Sequence, residues 1–249
     1  MLQAQKATAS GFISSKKVND SSSSQDVRYN CRMYFINRVE AGKQLTEKLL
    51  KYKHEQCTLV ALSDGATVIA AQSATVLNSP IVMLLSEGIH APGESVAVAN
   101  INQAGNYGFN SAYSAGQLDE FNMEYHQVFE QSKLEKLSKM HRLLGKLGVI
   151  KPDLLRGRTV ILIADGLGDA TSIDSAMLYL KSIKVKKLII ATPFASVDVV
   201  DRMHLLADEI ACLNVVQNFM GVNHYYEDNL IPSHETVVKT IQTMVKSWK

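Results

Sequence analysis

The chain has 249 residues, with 26 basic and 24 acidic side chains and a net charge of +2. Apolar residues make up 46% and charged residues 20%, an ordinary globular composition that excludes a wholly disordered, collagen-like or coiled-coil chain. The near-neutral balance excludes strong electrostatic attraction to nucleic acid or to an anionic membrane.

A chain this long buries roughly 70–75% of its unfolded surface and needs no staple to hold a core. Cys31, Cys57 and Cys212 are odd in number and widely spaced. They suggest neither a disulfide framework nor a zinc site and fit a reducing compartment. No apolar run approaches 18 residues and no secretory h-region opens the chain, so a cytoplasmic protein is expected.

Residues 1–30 form a Ser-rich tail with few large apolar residues. Such a segment cannot offset its own ordering entropy and reads as flexible. Residues 31–249 read as a single domain. From Phe35 onward, Ala41, Leu45, Leu49 and Leu50 recur at helical spacing to about Tyr52, with Arg38 and Lys43 expected on the helix surface. Cys57–Leu62 is a buried strand, Ser63–Thr67 a turn that caps a helix to about Leu77, and Pro80–Leu85 a second buried strand. Residues 87–117 mix Gly, Asn, Ser and Ala and read as loop with one or two short strands. Leu118–Lys146 is a long helix, its apolar stripe running from Leu118 and Phe121 to Leu144 and Leu147. Its Lys133, Lys136, Lys139 and Arg142 read as a solvated face.

The C-terminal third alternates clearly. Thr159–Ile163, Lys187–Thr192 and Glu209–Leu213 are strands; Ser172–Ile183, Val197–Leu206 and His234 to about Trp248 are helices. Strands alternating with helices predict an α/β fold, with a mostly parallel central sheet of about five strands flanked by helices. Ligands of such sheets bind beyond the carboxyl ends of the strands, so the turns 63–67 and 164–172 should share one edge.

The second of these turns is the candidate site. Ala164-Asp165-Gly166-Leu167-Gly168-Asp169-Ala170-Thr171-Ser172 joins a buried strand to a helix N-terminus. Small residues there let backbone N–H groups approach an anion, while Asp165 is placed to bind ribose hydroxyls or a metal-bound water. The same residues also make an ordinary tight turn with an Asp or Ser cap. Neither a GxGxxG nor a Walker pattern is present.

The segment from Thr159 to Leu213 resembles the core of type I phosphoribosyltransferases. A bacterial branch of predicted phosphoribosyltransferases is closer still. Its landmarks fall in order here as FINRVEAGKQLTEKLL, Ala91-Pro92-Gly93, Phe219, Val222, Tyr226-Glu227-Asp228 and Ser233-His234-Glu235. The resemblance covers about residues 35–245. It implies the type I phosphoribosyltransferase-like fold, with a small hood from about 30–50 and 214–235. It also implies transfer of ribose 5-phosphate from phosphoribosyl pyrophosphate to a base, with Mg2+ as cofactor. Phosphoribosyl pyrophosphate or a nucleotide would be the bound partner, and the assembly a homodimer. Asp165 would be catalytic, touching ribose hydroxyls or the metal. Gly166, Leu167, Gly168, Asp169, Ala170, Thr171 and Ser172 would hold the 5′-phosphate. Ser63, Asp64, Gly65 and Ala66, with Ser86, Glu87 and His90, would face the pyrophosphate.

The chain departs from that family where its chemistry is concentrated. Ala164 replaces the first of two adjacent acids, Asp169 stands in the phosphate loop, Asp64 replaces an Arg, and Ser86-Glu87 replaces Arg-Lys. A carboxylate about 4 Å from a phosphate repels it by about 4 kcal/mol at an effective dielectric near 20, close to three decades of affinity. Activity is therefore expected to be weak or lost. The alternative is a non-catalytic regulatory or protein-interaction descendant of the fold. Its pocket would take a neutral or cationic ligand, or a hard cation among Asp64, Glu87, Asp165 and Asp169.

Overall fold

The computed structural model describes residues 35–145 and 150–247. The Ser-rich tail, Cys31, Lys146, Leu147 and Trp248 lie outside the described residues.

The elements run in the order α1 (Arg38–Leu49), β1 (Cys57–Ala61), α2 (Asp64–Leu77), β2 (Ile81–Met83), β3 (Ser86–Ile89), β4 (Ala99–Asn102) and β5 (Tyr107–Phe109). They continue with α3 (Ala115–Leu144), β6 (Thr159–Ile163), α4 (Thr171–Leu180), β7 (Lys187–Ser196), α5 (Val197–Leu206), β8 (Glu209–Val216) and α6 (His234–Ser247). Five strands form a parallel sheet in the order β2-β1-β6-β7-β8. This is the mostly parallel α/β sheet expected of a type I phosphoribosyltransferase-like fold.

The central strands are apolar on both faces because both faces are covered. Ile161 and Ile163 of β6 join Leu59, Ile189 and the apolar sides of α1, α2 and α6. Val160 and Leu162 turn the other way, toward Ile173 and Ala176 of α4 and Met203 of α5. Helix ends follow local chemistry. Ser63 Oγ accepts from Ala66 N at the start of α2, and Asn78 closes that helix in the left-handed conformation at φ 51°, as capping residues do. Ser114 and Gln117 form a capping box at the start of α3.

Three expectations change. Residues 87–117 are more ordered than read: β3, β4 and β5 make an antiparallel three-stranded sheet. One face of it packs Ile89, Ala99 and Ile101 under Phe129 and Met140 of α3. Strand β7 runs past Pro193 to Ser196, because Phe194, Ala195 and Ser196 pair with Asn214, Val215 and Val216. The basic side of α3 is only partly solvated. Lys136 and Lys139 both reach Glu87 (3.6 and 2.9 Å), and Lys133 lies 3.7 Å over the Tyr107 ring. Segments 35–50 and 214–235 meet through the Phe35–Tyr226 bridge, while α1 itself packs on α2, β7 and β8.

Candidate functional site

The turns after β1 and β6 share the carboxyl edge of the sheet, since their strands are adjacent and parallel in register from Cys57↔Thr159 to Ala61↔Ile163. Asp165 follows β6 directly and is buried. Its Oδ2 accepts from Arg38 Nε at 2.8 Å and its Oδ1 from Ser63 Oγ at 2.7 Å. Tyr226 donates its hydroxyl to the Asp165 carbonyl at 2.6 Å. Arg38 stacks on the Tyr226 ring at 4.4 Å and donates Nη2 to Asn223 Oδ1 at 2.9 Å. Its Nη1 is buried with no acceptor. Burial and the neighbouring Asp165 charge push the Tyr226 phenol well above its ordinary pKa, so it remains a donor.

Arg38 therefore corrects the sequence reading. The side chain is 2% exposed, not on the helix surface. Ala41, Leu45 and Leu49 mark the buried stripe of α1, and Arg38 sits three residues before Ala41 on that stripe. The periodicity carried this signal; the charge concealed it. Tyr226 and His234, which the sequence marked only as landmarks, and Asn223, which it did not mark, are likewise neighbours of the site.

The structure also limits what Asp165 can hold. Both carboxylate oxygens are engaged, one by a buried cation. A divalent ion there would sit against the Arg38 guanidinium, so the donor set does not fit Mg2+. Among the described residues no group of three or more His, Cys, Asp or Glu is arranged to bind a metal. The acid cluster of Asp64, Glu87, Asp165 and Asp169 is not assembled. Asp64 pairs with His234 Nδ1 at 2.7 Å. Glu87 lies on the α3 side of its sheet, tied to Lys136 and Lys139.

The remaining predicted residues divide into two places. Gly65 packs against the Arg38–Asp165 pair: a Cβ there would lie 2.0 Å from Asp165 Oδ2. Ala66 is buried behind it in α2. Ser86 and Gly88 of β3 instead border a cleft of about 290 Å³ with Gly166, Leu167, Gly168, Asp169, Thr171 and Ser172, closed by Phe219 and Val222. His90 is exposed and outside that lining. Phe219 lies so close to Gly168 that a Cβ would approach it to 2.4 Å.

Two amides at the centre and end of the turn are already committed. Leu167 N donates to Phe194 O at 3.1 Å and Thr171 N to Asp169 Oδ1 at 2.8 Å. The Asp169 carboxylate thus takes an N–H at the start of α4 that a bound anion would otherwise use. The basic residues Arg156 and Arg158 cannot compensate. They precede β6, and Gly157 N and Arg158 O bond to Lys184 and Lys186 at the opposite edge of the sheet.

No protein-family model matches the chain. Over 206 residues, 82% of its length, it is 24% identical to two proteins of Mycobacterium tuberculosis, from strains CDC 1551 / Oshkosh and H37Rv, each named "Putative phosphoribosyl transferase". The match spans 45% of those proteins, so the chain corresponds to about half of their length. The fold is shared with TT1426 from Thermus thermophilus, with a TM-score of 0.62 and 23% identity, over 86% of this chain and 99% of that one.

Proposed function

We propose that this chain, a sequence relative of phosphoribosyl transferases, keeps that family's fold and site outline but has weak or lost transfer of ribose 5-phosphate from phosphoribosyl pyrophosphate to a base. One observation carries the reading: Arg38 and Ser63 already occupy both oxygens of Asp165. In the family's chemistry an acid at this position meets ribose hydroxyls or the metal. Here it is neutralised from within the fold.

The engagement of Asp169 with the start of α4 supports the second reading, a non-catalytic descendant that binds a small neutral or cationic ligand. On either reading residues 31–249 act as one unit, with 214–235 as the hood over the 166–172 turn, in a cytoplasmic homodimer. No helix among the described residues is long and apolar enough to cross a membrane.

The test is calorimetric titration with phosphoribosyl pyrophosphate, with and without Mg2+. The expected result is no saturable heat up to about 1 mM ligand, the weak end of specific binding. Micromolar, Mg2+-dependent binding would overturn the proposal and make an acceptor-base screen the next step.

A further inference from the structure

The three-stranded sheet has two unlike faces. Toward α3 it presents the apolar Ile89, Ala99 and Ile101. Toward α4 it presents Gly88, Asn100 and Gly108, which are in cross-strand register and so share a face. Asn100 is 1% exposed, and neither Oδ1 nor Nδ2 has a hydrogen-bond partner. Asn102, two residues along the same strand and on the same face, is fully used. It donates to Ser175 O at 3.1 Å and accepts from Ala104 N and Asn106 N. The orphaned amide is therefore particular to position 100, and buried amides without partners are the exception in proteins.

Asn100 borders a cleft of about 430 Å³ between this sheet, α4 and α5. Phe109, Met177 and Leu178 give it apolar walls, and Lys181 and Arg202 line it as cations. Arg202 is neutralised, donating Nε and Nη2 to Asp174 at 3.1 and 2.9 Å. Lys181 makes no ion pair among the described residues. Apolar walls with a few convergent polar groups, in a volume of several hundred Å³, are the features of a small-molecule site. This cleft is separate from the 166–172 turn and shares no lining residue with it.

We propose that this cleft is a second ligand site, for a small anion bearing a planar heterocycle with adjacent donor and acceptor, of the adenine nucleotide class. A carboxamide matches the N6/N7 edge of adenine with two hydrogen bonds, one given and one received, which are the two bonds Asn100 lacks. The apolar walls take the ring, and Lys181 takes the phosphate. Leu178 rests on Gly108, where a Cβ would come within 2.4 Å of its Cδ1. Gly108 pairs with Asn100 across the strands, so this wall of the cleft stands beside the amide.

Titration of the full chain with adenosine 5′-monophosphate, followed by calorimetry, tests this. Saturable binding is expected, weakened about tenfold or more by Asn100→Leu and by Lys181→Glu. Asn100→Asp, nearly isosteric, keeps an acceptor and loses the donor, and weakens binding even if the Leu variant folds poorly. No saturation up to about 1 mM overturns the proposal. So does binding that persists unchanged in the Asn100 and Lys181 variants, which would assign the nucleotide to the 166–172 turn.

Discussion

Arg38 Nε lies 2.8 Å from Asp165 Oδ2, joining the first turn of α1 to the end of β6 across 127 positions of sequence. The pair is 2% and 11% exposed, so removing one partner strands the other charge away from water. Arg38→Met or Asp165→Leu alone should cost about 3–5 kcal/mol of stability. Replacing both should recover at least half of that loss, because a buried pair exchanged for apolar volume is often near neutral. Urea denaturation of the four proteins in the cycle measures it. Additive losses would mean that the pair is not a unit.

Gly65 tests the same contact from the other side. A methyl group there would meet the Asp165 carboxylate at 2.0 Å and Arg38 Nε at 2.6 Å. Gly65→Ala should therefore destabilise the protein by a few kcal/mol, the size of other core overpacking losses of about 1–3 kcal/mol. In an Asp165→Ala background the closest obstruction, at 2.0 Å, is gone, and Arg38 Nε loses the acceptor that holds it against Gly65. There the same substitution should be neutral or stabilising by up to about 1 kcal/mol, the helix-propensity gain of Ala over Gly. Thermal unfolding of the single and double variants reads the sign change.

Tyr226 predicts an alkaline limit. Burial first, and the Asp165 charge second, raise its phenol above the ordinary value near 10. For a raised folded-state pKa, the stabilisation is complete below the unfolded value and is lost as pH rises beyond it. Stability should thus fall above about pH 10, by up to about 1.4 kcal/mol per pH unit for this group. Tyr226→Phe should lose about 0.5–1.5 kcal/mol at neutral pH with its hydrogen bond to the Asp165 carbonyl, and should show a shallower alkaline decline. Denaturation midpoints between pH 8 and 11.5 distinguish the two proteins; parallel curves would exclude Tyr226 as the titrating group.

Much of the fold was legible because both faces of the central sheet are covered. Runs such as Thr159–Ile163 are then continuously apolar, and α5 was placed at its observed bounds of Val197–Leu206. The β3–β5 sheet was obscured for the opposite reason. Its α4-facing positions are Gly88, Asn100 and Gly108, which read as loop residues because that face holds a polar side chain between two glycines. At the site, the turn 164–172 could be found from sequence, but its occupancy could not. Composition counted Asp64, Glu87 and Asp169 as charges facing an anion. Folding gave each a local partner: His234, two lysines of α3, and the Thr171 amide. Those partners come from 170, about 50 and 2 residues away, so only the last was within reach of local pattern.

Asp169, just before the Ala170 N-cap of α4, separates a local hydrogen bond from charge. Its Oδ1 accepts from Thr171 N at 2.8 Å, and its negative charge lies at the N-terminus of α4, where the helix dipole favours it. Both effects hold the turn shut against an external anion. Asp169→Asn retains a side-chain acceptor and removes the charge, and Asn makes the same two-residue side-chain turn to the Thr171 amide. Its stability should fall by no more than the charge–dipole term of about 0.3–1 kcal/mol, whereas Asp169→Ala should also lose the hydrogen bond, about 1 kcal/mol more. Repulsion of a 5′-phosphate should fall in both variants. Affinity for ribose 5-phosphate should rise in the Asn variant by as much as about three decades, the bound set by two charges about 4 Å apart at an effective dielectric near 20. Calorimetry with ribose 5-phosphate at low and high salt measures the gain. A true charge effect shrinks as salt rises. If neither variant binds better than the parent, the carboxylate is not what excludes phosphate. The Phe219 ring against Gly168 would then be the obstruction to remove next.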